Sequence, residues 1–396
     1  MSPLRLLQLS DVHFGARMTG GRLGLDTAVA EQREQERRDC FRRAIALVEE
    51  RDLDGVLIPG DLFDDESVDA DTMRFVVHTL ASIAPRPVFL APGNHDPYGG
   101  ASPYRKEGEQ ENERGLRWPS NVILFAHQDF RAVAWPGRAD VLVVGCGVAA
   151  NRPSAERRLA SRIPTDAAEC RILLFHGSRD DGSWLQAHKS TYPFSRDELL
   201  AQDFTWTALG HYHARQILSD DSGRPRAAYS GCLIGGGLDE TAEKGALVLE
   251  IQDGHTSVEP VALDPREVRR VRCDLSGAGF AEAAKERVDS ALEAAGAREQ
   301  DLILLECIGR RAQGLDLGFL GSLAQNHFHL RVDLSGLRAD VDLDAYPPME
   351  EALSTEERFV AQLREQLGGD DGRVHRALLY GLDAISRGKV DTRYEE

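Results

Sequence analysis

The chain has 396 residues, more than one hydrophobic core usually organises, so two or three domains are expected. Apolar residues make up 42% and charged residues 28%, which excludes an intrinsically disordered or fibrous chain. The net charge of −18 is the wrong sign for a protein whose whole surface would grip nucleic-acid phosphates.

Helical and strand patterns alternate through the first two-thirds. "LRLLQLS" (4–10) reads as a buried strand, and its flanks make a poor signal peptide. "RRDCFRRAIALVEERD" (37–52) is helical, with Phe41, Ile45 and Val48 on one stripe. "GVLIPGD" (55–61) is a second strand, "TMRFVVHTLASI" (72–83) a helix and "PVFLAPGNHD" (87–96) a third strand. Further strand-like runs fall at 122–126, 141–148, 171–176, 204–210, 227–233 and 246–251. This pattern predicts an α/β protein with two packed sheets, not one open parallel sheet.

The texture changes after "EPVALDPRE" (259–267). "REVRRVRCDL" alternates, "FAEAAKERVDSALEAAG" is an amphipathic helix, and "DLILLECIG" and "HFHLRVDL" are strands. A small α+β domain of roughly 75 residues is expected here. "SGLRADVDLDAYPPMEEAL" (335–353) reads as a linker. Ser354 and Glu357 form a capping-box pair that opens a helix carrying Phe359, Val360, Leu363 and Leu367. A second amphipathic segment carries Val374, Leu378, Leu382 and Ile385. The expected domains are therefore 1–262, 263–340 and a helical tail at 341–396.

The six cysteines, at positions 40, 146, 170, 232, 273 and 307, form no C-x-x-C pair. They read as buried free thiols of a cytoplasmic protein. No apolar run reaches the length that spans a bilayer.

Five polar clusters stand at the ends of apolar strands. Asp11 and His13 lie in "LSDVHF"; Asp61 follows "VLIPG"; Asn94, His95 and Asp96 follow "FLAPG"; His176 follows "ILLF". His211 and His213 lie in "ALGHYHARQ", where i and i+2 of a continuing strand would share a face. Taken singly, each cluster is a solvated turn or an Asx-rich loop. Taken together, they converge on the crevice where α/β folds place their sites. Carboxylates and imidazoles suit divalent first-row metals, and seven donors suit two ions sharing a carboxylate.

In this order, D-x-H, G-D, G-N-H-D, H-G and G-H-x-H resemble the calcineurin-like metallophosphoesterase superfamily. "GDLFDD", "APGNHDP", "GHYHARQ", "YSGCLI" and "EKGALVLEI" resemble its DNA-repair exonuclease branch, the SbcD- and YhaO-like nucleases. The resemblance covers most of residues 4–252. It implies an α/β/β/α sandwich, then a small α+β capping domain and a C-terminal helical tail. It also implies one ion held by Asp11, His13, Asp61 and His213, and another held by Asp61, Asn94, His176 and His211. The ions would be divalent, with Mn2+ the expected metal. His95 would be the general acid that protonates the leaving 3′ oxygen, and Asp64 would orient it. Asp96 reads as the anchor of its turn.

The activity so implied is a two-metal DNA nuclease, exonucleolytic on duplex ends and endonucleolytic on single strands. It would act as a nucleoid-associated homodimer in DNA repair or phage defence, with an SMC-like ATPase on the helical tail. The tail's apolar stripes could instead pack within the chain. Arg269, Arg270, Arg272, Arg310 and Arg311 form either a basic face for duplex phosphates or an ordinary solvated surface. His188 reads as a solvated loop residue, and His327 and His329 as the exposed side of a strand. Two alternatives remain: a small-molecule phosphodiesterase or phosphatase on the same site, and a catalytically idle scaffold for an ATPase.

Overall fold

The computed structural model describes residues 2–20, 23–64, 68–99, 102–104, 117–180, 190–340, 345–364 and 372–387. His188 and Leu367 lie outside the described residues. Two compact units are present: 1–236 with 242–265, and 237–241 with 266–396.

The first unit is built on two six-stranded sheets. In one, β1 (Leu4–Gln8), β2 (Gly55–Pro59), β3 (Val88–Ala91) and β4 (Val122–Leu124) run parallel. β11 (Gly245–Gln252) and β12 (His255–Ala262) extend that sheet antiparallel beyond β1. In the other, β6 (Arg138–Gly145), β7 (Cys170–His176), β8 (Trp206–Gly210) and β10 (Pro225–Tyr229) run parallel. β5 (Arg131–Trp135) and β9 (Gln216–Ser219) close its edges antiparallel. Between the sheets lies a core of Leu6, Leu57, Phe89, Val143, Ile172, Trp206 and their neighbours. α1 (Thr27–Glu50) covers β1 and β11 on the outer face of the first sheet. The outer face of the second packs against Leu159, Ile163, Phe194 and Leu199, the last on α3 (Arg196–Leu200). This is the two-sheet α/β sandwich expected from the sequence.

Helix α1 begins ten residues before the helix expected at 37–52, capped by Asp26 on the Val29 amide. Its early inward positions are Arg33 and Arg37, buried arginines that an apolar period cannot register. Arg33 is fully buried and pairs with Asp264 through two hydrogen bonds. α2 (Ala70–Ala81) is capped by Asp69 on the amides of Asp71 and Thr72. The strands missing from the sequence reading, β5, β9 and β12, are edge strands whose inner faces are only partly buried.

In the second unit β13 (Val268–Asp274), β14 (Leu302–Ala312) and β15 (His329–Asp340) form a wholly parallel sheet. Its crossovers contain α4 (Ala281–Ala294) and α5 (Phe319–Gln325), as parallel pairing requires. β15 takes in "SGLRAD", which the sequence reading assigned to a linker. A register shift opposite Gly336 breaks the alternation that would have marked it as strand. In the tail, α6 (Thr355–Arg364) carries the expected reciprocal Ser354–Glu357 cap. Val360 of α6, and Leu378 and Leu382 of α7 (Gly372–Arg387), are buried in the unit's own core with Leu330 and Val332. All six cysteines are free and buried. Among the described residues no helix is long and apolar enough to cross a membrane.

At Gly210, where β8 meets β2 across the sandwich, a β-carbon would collide with the Pro59 carbonyl oxygen. Gly210→Ala is expected to cost about 1–3 kcal/mol as the two sheets are forced apart. Urea unfolding measures this, and an unchanged midpoint would contradict the close approach.

Candidate metal centre

The parallel strands of both sheets end at one edge of the sandwich; His176 is the last residue of β7, and the other polar clusters sit in the first residues beyond their strands. Those residues do not continue the strands. Asp11, His13 and Asp61 have φ near +50°, and His211 has φ 112°. Such conformations are uncommon and costly for residues with a β-carbon. The i and i+2 spacing therefore works through turns, not through one face of an extended strand. β8 stops at Gly210, and the chain then turns so that His211 and His213 reach different neighbours.

His13 Nε2 lies 3.1 Å from His213 Nε2, while His13 Nδ1 lies 3.0 Å from Asp64 Oδ1. His176 Nε2 lies 2.9 Å from Asn94 Oδ1 and 3.4 Å from Asp61 Oδ2. Its Nδ1 is 2.9 Å from the Pro59 carbonyl. His211 Nδ1 is 3.0 Å from the same Asn94 oxygen, and its amide donates to Asp11 Oδ1 at 3.0 Å. Asp61 Oδ2 stands between the two groups, 3.8 Å from His13 Nε2. Its other oxygen accepts the His95 amide at 2.9 Å. Donor atoms of Asp11, His13 and His213 are mutually within 4.8 Å, as are those of Asp61, His176 and His211.

Hydrogen bonding at Nδ1 settles what the Nε2 atoms can offer. A neutral His176 that donates Nδ1–H to Pro59 presents a bare lone pair to the Asn94 oxygen, two acceptors face to face. His13, donating Nδ1–H to Asp64, likewise turns a lone pair towards His213. Acceptors about 3 Å apart are the spacing of neighbouring ligands on one cation, whose own ligand distances are about 2.0–2.2 Å. The donor set thus fits divalent metal.

Electrostatics follow the same geometry. Burial opposes charge on Asp61, yet His176 and His13 hold its carboxyl well below the usual range. Burial also lowers His176, but the Asp61 charge outweighs it and raises His176 to about 9. His211 is pushed down to about 3 by burial and by His176. His13 is lowered, mainly by burial. Asp64 loses solvent too, but its hydrogen bonds with His13 and His95 hold it below the ordinary carboxylate value. His95 is half-exposed at the cleft, its Nδ1 3.2 Å from Asp64 Oδ1, which leaves Nε2 for the cleft. Burial lowers it, and the Asp64 hydrogen bond with the Asp61 charge raises it to about 9.

Asp96 is fully buried and accepts from the amides of Gly93 (2.7 Å) and Phe63 (3.0 Å) and from the Tyr104 hydroxyl (2.6 Å). It locks the loop that presents Asn94 and His95. Sequence reasoning missed Ser10, whose hydroxyl donates to Asp11 at 2.5 Å, and Thr191, 3.3 Å from the Asn94 oxygen. Thr191 carries no local signal because it acts from chain distant from the strand-end motifs, whereas Ser10 stands inside one and reads there as an ordinary turn serine.

The arginines of the second unit fall apart as a group. Arg311 is buried, and its guanidinium donates to the Leu315 carbonyl. Arg269 pairs with Asp301 and Glu267, and Arg270 with Glu306. Arg272 and Arg310 are well exposed. His327 and His329 are half-buried, not fully solvated.

The calcineurin-like phosphoesterase family matches this chain over residues 4–215, and the chain belongs to that family. Membership points to a hydrolase of phosphoester bonds that uses divalent metals. The chain is 27% identical over 211 residues to the uncharacterized metallophosphoesterase YhaO of Bacillus subtilis, covering 52% of this chain and 48% of that protein. It is 23% identical over 234 residues to the DNA double-strand break repair protein Mre11 of Sulfurisphaera tokodaii, covering 57% and 52%. The Mre11 of Saccharolobus solfataricus is 23% identical over 229 residues, covering 56% and 52%. The chain spans about half the length of the curated relatives it matches.

In the metal-free protein, the stability contributed by protonated His95 and His176 is complete below pH 6.5 and is lost as pH rises through about 9. Imidazole NMR signals in EDTA should show both residues titrating near 9. Titration of His176 near 6.5 would contradict its pairing with Asp61.

Proposed function

We propose that this chain is a metal-dependent DNA nuclease, cutting duplex ends exonucleolytically and single strands endonucleolytically. The observation that carries the reading is the convergence of seven metal-competent side chains beside His95, whose Nδ1 is held by Asp64. The relatives named as double-strand break repair proteins support DNA as the substrate. Asp11, His13, Asp61 and His213 would hold one ion, and Asp61, Asn94, His176 and His211 the other, with Asp61 shared. Bound divalent ions supply Lewis-acid polarisation of the phosphoryl group and ease the ionisation of water; Mn2+ is the proposed metal.

The chain's own residues do the rest. Asp64 holds His95 at Nδ1 and keeps it charged, so that Nε2 can give its proton to the departing 3′ oxygen. Asp96 fixes the turn that places His95 beside Asn94. Arg272 and Arg310 are the arginines exposed enough to meet phosphates directly. Arg269 and Arg270 would do so only by exchanging their carboxylate partners. The proposed setting is a cytoplasmic homodimer at the nucleoid, working with an SMC-like ATPase in repair or defence. Docking on the tail would use its outward surface, since the inward stripe is taken up by the unit's core.

The acid-paired arginines also favour a second reading, a small-molecule phosphodiesterase on the same centre. Purified protein with Mn2+ and labelled single-stranded and linear duplex DNA separates the two. Degradation by the native chain, reduced about 10²–10⁴-fold in His95→Ala, is the expected result. Intact DNA with hydrolysis of cyclic nucleotides would favour the second reading, and inertness towards both would indicate an idle scaffold.

A further inference from the structure

Two buried cations stand behind His13 and His213, and the reading of the site so far uses neither. Arg37, on α1 and 2% exposed, donates from Nη1 to the His13 carbonyl oxygen at 2.5 Å. Lys244, just before β11 and 4% exposed, donates from Nζ to the His213 carbonyl oxygen at 3.1 Å. Each carbonyl also accepts one main-chain amide: Ala16 donates to His13 at 3.1 Å, and Cys232 to His213 at 3.2 Å. The two residues whose Nε2 atoms face each other across 3.1 Å are therefore held from behind in the same way. One neutral N–H and one cationic side chain meet each carbonyl, and the Cys232 thiol adds a weak third contact to that of His213 at 3.6 Å.

The backbone explains the need. His13, at φ 52°, has left the β1 ladder, and His213 follows the turn that His211 opens at φ 112°. A carbonyl so displaced and buried is destabilising if left unmet, and charge-assisted hydrogen bonds are roughly twice as strong as neutral ones. The other imidazole pair is fixed differently, His176 through its ring on Pro59 and His211 through its amide on Asp11.

We infer that Arg37 and Lys244 are positioning residues for one metal pocket, setting the separation of the His13 and His213 imidazoles by clamping their carbonyls. The inference rests on the two-ion reading proposed above. It makes a prediction opposite in sign to simple electrostatics. A buried cation repels a metal dication, so removing its charge alone would tighten binding, whereas loosening the clamp weakens it.

The test is Mn2+ binding to the full chain by equilibrium dialysis with EPR detection. Wild type should hold two ions. Lys244→Met, which keeps the side chain's length and apolar stem, should bind one ion as before and the other about 10–100-fold more weakly. Lys244→Arg should restore most of that loss, and Arg37→Met should repeat it. If Arg37→Met fails to fold in EDTA, Lys244→Met decides alone. Unchanged or tighter binding of both ions by Lys244→Met overturns the clamp. Equal weakening of both ions also overturns it, because the effect would then be general destabilisation. A wild-type chain that holds fewer than two ions overturns the two-ion reading, and the clamp with it.

Discussion

Ligand-competent atoms that face one another across about 3 Å govern the architecture of this centre. His13 Nε2 confronts His213 Nε2, and the Asn94 oxygen confronts nitrogens of both His176 and His211. Without a cation or a proton these contacts repel, and the fold nevertheless builds them. It does so with left-handed backbone at Asp11, His13 and Asp61, each of which costs of order 1–3 kcal/mol. Two rigid sheets, locked by an apolar core, offset that strain and deliver residues up to 200 positions apart to one cleft. Strain of this kind is a reasonable price only where a ligand later repays it.

Charge is arranged as closely as shape. The buried carboxylates Asp11 and Asp61 would repel each other; His176 and His13 hold Asp61 below its usual range, and the Asp61 charge raises His176 in return. Asp64 sits between two imidazoles and binds both, joining the buried His13 to the half-exposed His95. A shared carboxylate of this kind orients His13 and charges His95 at once. The net charge of −18 says little about this cleft, because local potential is set by the groups that line it and by what they bind.

Most of the centre was legible in the sequence because parallel strands end where sites form, so an acid or imidazole after each apolar run already carried geometric meaning. Asp11, His13, Asp61, Asn94, His95, His176, His211 and His213 all fall within one cleft for that reason. What the strand rule could not give was the turning backbone at His211, since a period of two assumes the strand continues. Thr191, Arg37 and Lys244 were invisible because a side chain that supports another from a distant element leaves no local pattern. The start of α1 was misplaced on the same account, its inward face being arginine where an apolar residue was sought. Arg311 shows the reverse error: a basic residue in a basic stretch, counted as surface, is buried against Leu315.

The proposed nuclease chemistry requires two cations, one on either side of Asp61. Crystals soaked in Mn2+ and measured at the manganese absorption edge test this without reference to any substrate. Two anomalous peaks roughly 3.5–4 Å apart, one beside His13 and His213 and the other beside His176 and His211, are the expected result. A single peak, or none within reach of Asp61, would contradict it.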